Sequence, residues 1–375
     1  MKIPFNIPYI SGNEVNYIND VIKMQSYSST GKYNKLCEEE LTTLTKCDCV
    51  RLTGSATAAL EITALAIDVK PGDEVILPSF TYVTTASAFV LRGAKLVFVD
   101  INPNTMCMDE SLLEKAISSK TKAIVLVHYS GFTSNINKVV QLCQEKNIYL
   151  IEDAAQSIDA YYENQHLGTF GDFGCISFHD TKNIQCGEGG ALLINNKALL
   201  EKVDLILEKG TNRKDFLLGN EGTYTWKDLG SSFGLSEISA AFLLAQLKEI
   251  KKVTTKRKEL YNLYQEKLKP LKDINKIDFL LHQNKHNAHI FFIKVKDKVE
   301  RNKLIDYLAS KGIAAYFHYL PLHLSDMGKD YQFVNSEFDY TLIESERLVR
   351  LPLFYNLSIQ QLNYIVDCID QFYLS

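Results

Sequence analysis

Three short stretches of this 375-residue chain combine reactive side-chain types with the small residues that ligand sites need. In the first, an apolar run leads through Ser177-Phe178-His179-Asp180-Thr181 to Lys182, and Gly187-Glu188-Gly189-Gly190 follows. A lysine between a strand and a glycine turn is often a plain surface residue, and it is also where an amine that captures a carbonyl stands. In the second, Ile148-Tyr149-Leu150-Ile151 runs into Glu152-Asp153-Ala154-Ala155-Gln156. The acid projects from the carboxyl end of a strand, the edge at which open α/β sheets bind ligands, although an Asp there also serves as a helix cap. In the third, Cys49 to Thr53 passes through Gly54-Ser55-Ala56-Thr57 into a helical run. Free backbone N–H groups at a helix start attract phosphate, while small residues also fill such turns for steric reasons alone.

Taken together, the stretches match the parts that pyridoxal phosphate chemistry requires: a phosphate cradle, a carboxylate for the pyridine nitrogen, an aromatic ring for the cofactor face and a lysine for covalent attachment. Glycines 54, 187, 189 and 190 allow backbone to approach where a side chain would clash. Neither the P-loop pattern nor G-x-G-x-x-G occurs, which weighs against a nicotinamide-dependent oxidoreductase on a similar layout.

The elements that must position these stretches alternate in type. Strands are expected at Cys49 to Thr53, Glu74 to Leu77, Lys95 to Val99, Ala123 to Val127 and Ile148 to Glu152, with helices at Thr57 to Ile67, Thr84 to Leu91, Leu112 to Ile117 and Ile136 to Glu145. Such alternation implies right-handed crossovers and a largely parallel sheet with helices on both faces. One long helix is expected from Ser236 past Tyr264; its Lys248, Lys251, Lys252, Lys256, Arg257 and Lys258, interrupted by Glu249 and Glu259, read as a solvated face. Beyond it, Ile290 to Val295 and Ala314 to Phe317 are expected to be strands of a smaller α+β unit. The division expected is residues 1–235 for a large domain, its N-terminal segment packing on the small one, and 236–375 for the connecting helix and small domain.

Hydrophobic residues at 46% and charged residues at 23% are ordinary globular usage and exclude disordered and collagen-like classes. Lys plus Arg number 41 against 45 Asp plus Glu, a net charge of −4 that gives no footprint for nucleic acid. No apolar run approaches the roughly 20 residues that span a bilayer, and the proline-containing start has no apolar signal core. A soluble cytoplasmic protein is expected. Eight cysteines lie scattered without a C-x-x-C pair, which argues against a disulfide framework or zinc ribbon.

The ordered set Glu152-Asp153-Ala154-Ala155-Gln156, Gly168-Thr169-Phe170-Gly171-Asp172, Ser177-Phe178-His179-Asp180-Thr181-Lys182-Asn183 and Gly187-Glu188-Gly189-Gly190 resembles the DegT/StrS nucleotide-sugar aminotransferases. The resemblance runs from Ile3-Pro4-Phe5-Asn6 to Leu351-Pro352-Leu353-Phe354-Tyr355-Asn356-Leu357-Ser358, essentially the whole chain. It implies the PLP-dependent fold type I: an α/β large domain with a mostly parallel seven-stranded sheet between helices, plus a smaller α+β C-terminal domain. It also implies pyridoxal 5′-phosphate as cofactor, alternating with pyridoxamine 5′-phosphate, and a homodimer with shared active sites. Lys209-Gly210-Thr211-Asn212-Arg213, Tyr224-Thr225-Trp226, Gly230-Ser231-Ser232 and Phe317-His318-Tyr319-Leu320-Pro321-Leu322-His323 are similar to the subgroup that moves an amine from L-glutamate to a dTDP-linked 4-keto-6-deoxyhexose. The product this implies, dTDP-4-amino-4,6-dideoxygalactose, could enter an O-antigen, a common surface polysaccharide or a small glycosylated metabolite, and the sequence does not reveal which. Residue chemistry alone separates neither C4 from C3 ketones nor one 4-amino epimer from another.

By this resemblance Lys182 is the Schiff-base lysine and proton carrier, a role that a lysine protonated at its free pKa does not fill. Asp153 faces the pyridine nitrogen and favours its protonated form, and Gln156 stands beside the phenolic oxygen. Tyr82 matches the stacking ring, with Phe80 as the other choice. Ser55, the Ala56 backbone and Ser177 hold the phosphate. Ser232 stands where many relatives reach the phosphate from the neighbouring subunit with an asparagine. Arg213 and His318 border the expected sugar-nucleotide pocket, and His179 is placed either for cofactor or substrate contact or for packing. No metal is expected: His282, His286 and His289 straddle a polar loop, and Pro321 separates His318 from His323. The retained lysine weighs against a non-catalytic binding protein of the same fold.

Overall fold

The computed structural model describes residues 1–281 and 285–374, so His282 lies outside the described residues. Seven strands, β1 (Val50–Thr53), β2 (Glu74–Pro78), β3 (Lys95–Val99), β4 (Thr121–Val127), β5 (Tyr149–Asp153), β6 (Phe173–Ser177) and β7 (Gly190–Ile194), form most of one sheet. Two later strands, β8 (Phe291–Lys294) and β10 (Leu348–Leu351), pair antiparallel with each other, and β9 (Gln332–Val334) lies between them in the chain. The large, mostly parallel sheet expected is present with eight strands rather than seven, because β9 returns to pair with the edge of β3. The order is β1-β7-β6-β5-β4-β2-β3-β9, and only β7 runs against its neighbours.

Period-two alternation explains why the sheet needs cover on both faces. Val75 and Leu77 of β2, Leu96 and Phe98 of β3 and Ala123 and Val125 of β4 join one core cluster. The residues between them, Ile76, Val97, Ile124 and Leu126, join another on the opposite face. Both sets are apolar, and each fully buried Leu, Ile or Phe contributes about 1.5–3 kcal/mol of transfer free energy. A third cluster gathers Ile3, the helix α4 (Ile250–Asp273), β8, β10 and the last helix, Ile359–Leu374.

The single long helix expected from Ser236 is two helices, α3 (Glu237–Leu247) and α4, broken at Lys248 and Glu249. α3 is apolar around most of its circumference and packs on helices Glu14–Met24 and Lys32–Thr45, whereas α4 turns toward the C-terminal cluster. The chain bends where the core it serves changes, and periodicity within one helix does not report that. The solvated-face reading holds for Lys251, Lys252 and Lys256, which pair with Asp159, Glu249 and Glu259. Arg257 departs from it: its guanidinium is buried, and donates to the Ala288 carbonyl at 3.0 Å and the His289 carbonyl at 2.7 Å. Ala314 to Phe317 forms a lone bridge from Tyr316 to Arg350, on the edge of β10 away from β8, rather than a strand. Among the described residues, no helix is long and apolar enough to cross a membrane.

Candidate active site

The direction of β7 assembles the site. The carboxyl ends of β1 and β6 point to the same sheet edge, and β7, running the other way between them, begins there: Gly190 is opposite both Thr53 and Ser177. The turn after β1 and the end of β6 are thereby brought together from positions more than 120 residues apart. A Cβ on Gly190 would lie 2.4 Å from the Ser55 carbonyl carbon and 2.5 Å from the Ala56 nitrogen, so this close approach requires glycine. Ser55 caps the helix α1 (Ala56–Ala66), its Oγ accepting from the Ala58 amide at 3.0 Å. Ser177 Oγ accepts from the His179 amide at 3.3 Å. Each hydroxyl thus uses a lone pair on backbone and keeps its proton for an anion beside the helix start.

A cavity of roughly 750 Å³ opens at this edge. Ser55, Ala56 and Ser177 line it, as do Tyr82, Asp153 and Gln156. His179, Lys182 and His318 complete the expected residues found there. Tyr82 is 58% exposed and faces the cavity, while Phe80, at 1%, is packed behind against Tyr129 with ring centroids 4.9 Å apart, so the geometry favours Tyr82 as the available ring.

Asp153 is buried and held at both oxygens. Thr85, on the helix α2 (Val83–Val90), donates to Oδ2 at 2.7 Å, and the Ala155 amide donates to Oδ1 at 3.1 Å. The Thr81 hydroxyl stands 2.9 Å from that of Thr85. Gln156 is fixed by its Oε1, which accepts from the Ser130 amide at 2.7 Å, and its Nε2 donates to Tyr319 at 3.0 Å. The neighbouring acid, Glu152, is turned away from this work. Its oxygens accept from the amides of Gly168, Phe170 and Gly171 at 2.6–2.8 Å and lie 2.8 Å from His128 Nε2. In Glu152-Asp153 one acid therefore anchors a loop and the other faces the cavity.

Lys182 sits in the β6–β7 excursion, whose base is closed by hydrogen bonds from Phe178 to Gly189 and from Asp180 to Gly187. Asn183 beside it donates to the Asn287 carbonyl at 2.8 Å and meets His289 Nδ1 at 3.0 Å, which ties the excursion to the segment entering β8. Burial pushes the Lys182 amine down to about 8; the charge of Asp153 works against that and the charge of Arg350 works with it. The free amine is thus accessible near neutral pH.

Several cavity residues escaped the sequence reading. Tyr319, Arg350 and Arg257 in the lining, and Thr85 buried behind it on Asp153, are common types in ordinary strands and helices, and no spacing signal marks them. His289, set aside with the loop histidines, lines the cavity, and burial drives its pKa well below the ordinary value, with the charges of Lys182 and Arg257 adding to the effect. His318 is likewise held neutral by burial, and its Nδ1 lies 3.0 Å from the Tyr129 hydroxyl. His179 stays half-exposed, close to Thr181, Asp180 and Glu188.

Two expected residues are not brought to this chain's cavity. Arg213 is exposed and pairs with Glu208 at 3.4 Å, and Ser232 is exposed outside the lining. The fold does not deliver either from within the same chain.

A family model for the DegT/DnrJ/EryC1/StrS aminotransferases matches residues 8–370. The chain belongs to that family. Its architecture is that of the fold-type-I aminotransferases. A DegT/DnrJ/EryC1/StrS aminotransferase from Brucella abortus is 28% identical, with TM-score 0.88 over 97% of this chain and 96% of that one. PseC from Helicobacter pylori, an aminotransferase involved in the biosynthesis of pseudoaminic acid, is 25% identical with TM-score 0.89 over 100% of both chains. NtdA from Bacillus subtilis, solved with the cofactor PMP, is 26% identical with TM-score 0.89 over 100% of this chain and 86% of that one.

Proposed function

We propose that this aminotransferase holds pyridoxal 5′-phosphate in the cavity and transfers an amine from L-glutamate to the keto carbon of a dTDP-linked 4-keto-6-deoxyhexose, giving dTDP-4-amino-4,6-dideoxy-D-galactose. The observation that carries the reading is the convergence of a lysine with a lowered pKa, a buried carboxylate and a helix-start anion cradle on one cavity. The donor set fits the cofactor: the Gly190 approach leaves room for no side chain where a phosphate meets backbone amides, and Asp153 offers a fixed negative charge. When bound, the cofactor supplies an aldehyde for amine capture and an electron-accepting ring.

The chain's own residues do the rest. Ser55, Ser177 and the Ala56 amide would hold the phosphate, and Tyr82 would cover one ring face. Asp153 keeps the ring nitrogen protonated, because an anion fixed by two hydrogen bonds in a buried setting favours the cation beside it. Lys182 anchors the cofactor, then as a free amine takes the proton from the donor's Cα and returns one to the acceptor carbon. Ser232 reaches the phosphate of the opposite subunit in a homodimer with two composite sites, consistent with its exposed position. The dTDP sugar and the glycan pathway rest on the motif resemblance from Lys209 to Arg213, Tyr224 to Trp226 and Phe317 to His323.

The protein incubated with pyridoxal phosphate, L-glutamate and a panel of nucleotide ketosugars should aminate the dTDP-4-keto-6-deoxy compound, with the galacto configuration seen by NMR. Amination at C3, or of another sugar alone, would overturn the substrate assignment. Borohydride should fix the cofactor on the Lys182 peptide; labelling elsewhere would overturn the anchor.

A further inference from the structure

Ser79, His323 and Asp339 form one hydrogen-bonded chain behind the cavity lining. His323 Nδ1 lies 2.6 Å from the Ser79 hydroxyl, and Nε2 lies 3.0 Å from Asp339 Oδ2. A carboxylate only accepts, so Nε2 carries hydrogen, and Nδ1 of the neutral ring accepts from Ser79. These are the residue types of a hydrolytic triad, but Ser79 is fully buried and its oxygen is closed to any substrate. The imidazole is held flat on Phe333 of β9, with centroids 3.8 Å and planes 5° apart. Asp339 uses its other oxygen to cap helix Tyr340–Arg347, accepting from the Leu342 amide at 2.8 Å.

Every polar group of Ser79 is engaged at this junction. Its amide donates to the Val99 carbonyl at 3.2 Å, its carbonyl accepts from the Leu322 amide at 3.0 Å, and its hydroxyl oxygen accepts from the His323 amide at 3.0 Å. The two segments so joined each carry an aromatic ring of the cavity wall. Ser79 leads through Phe80 and Thr81 to Tyr82, and Leu322 follows His318 and Tyr319. Tyr82 and Tyr319 both line the cavity, with ring centroids 6.5 Å apart.

We infer that His323 is a positioning residue for the cofactor: through Ser79 it fixes the stretch that presents Tyr82 and sets that ring relative to Tyr319. This rests on the proposed binding of pyridoxal phosphate in the cavity. Tyr82 is 58% exposed, so its placement comes from the backbone that carries it rather than from packing around its ring. The contacts of Phe80 with Tyr129 and Tyr319 are apolar and non-directional. The hydrogen bonds at Ser79 are directional and set the register between the two segments. Imidazole suits this place because one nitrogen accepts from Ser79 while Asp339 anchors the other. Without that acceptor the Ser79 hydroxyl is left unpaired in a dry interior, and the stretch shifts to satisfy it. The same stretch brings Thr81 to Thr85, the donor to Asp153, so the effect reaches both the face and the acid side of the cofactor site.

The test separates the two ring nitrogens. Asparagine places an amide oxygen near the position of Nδ1, and glutamine places an amide nitrogen near that of Nε2. His323→Asn therefore keeps the acceptor for Ser79, and His323→Gln keeps the donor to Asp339. His323→Gln should weaken pyridoxal phosphate binding about tenfold and reduce the visible circular dichroism of the bound cofactor, whereas His323→Asn should stay within about threefold of wild type. Ser79→Ala should match His323→Gln, and the double variant should lie within about twofold of either, because both remove one contact. Thermal unfolding of the same preparations reads any structural loss separately. If wild type binds no pyridoxal phosphate, the proposed function itself fails. If wild type binds it and the asparagine and glutamine variants lose affinity equally, lose none, or lose only thermal stability, the positioning role is overturned. Should His323→Gln fail to fold, Ser79→Ala takes its place in the comparison with His323→Asn.

Discussion

Thr85 donates its hydroxyl hydrogen to Asp153 at 2.7 Å, joining the helix that follows β2 to the acid at the end of β5. Those strands are separated by β4, so the contact crosses the sheet's carboxyl edge. It aims the carboxylate and supports its charge where desolvation disfavours it. Asp153→Asn should lower kcat at least about 100-fold, and Thr85→Val about tenfold, as expected for a hydrogen bond to a charged group. Thr85→Ser should keep most activity, because it retains the hydroxyl. Steady-state kinetics check this; a fully active valine variant would remove Thr85 from the account.

Lys182→Ala should stop turnover with an unchanged circular dichroism spectrum, since the side chain is anchor and proton carrier rather than core. Residual transamination above background would contradict it.

In cofactor-free protein the Lys182 amine should titrate near 8. Below that pH it is protonated and inert toward aldehydes; above it the free amine reacts. Asp153 raises this pKa and Arg350 lowers it, so Asp153→Asn should move the inflection down and Arg350→Met should move it up. Reductive methylation read by mass spectrometry at Lys182 measures this, and an inflection near 10.5 would rule out the buried amine.

Glu152→Ala should destabilise the fold by about 3–5 kcal/mol, since it strands three amides and His128 in a dry interior. Glu152→Gln should lose less, because one oxygen still serves Phe170 and Gly171. Thermal and denaturant unfolding give the ranking; equal loss in both variants would refute this use of the carboxylate.

Gly190→Ala should weaken pyridoxal phosphate binding more than it lowers stability, because the added methyl pushes on Ser55 and Ala56 at the anion cradle. Cofactor titration and thermal unfolding of the same preparation distinguish the two effects.

The sequence by itself determined the doubly covered sheet, through alternation of apolar residues along each strand, and it marked Asp153, Lys182 and the Gly54-Ser55 turn, whose residue types carry their chemistry locally. The tertiary structure alone decided what depends on contacts between distant segments. The reversed strand β7 brings Ser55 to Ser177, β9 adds an eighth strand at the edge of β3, and α3 breaks from α4 where one core gives way to another. Thr85, Arg257, His289 and Arg350 acquire their roles the same way. A threonine or arginine has no distinctive spacing; its function comes from what faces it, and chain order does not contain that.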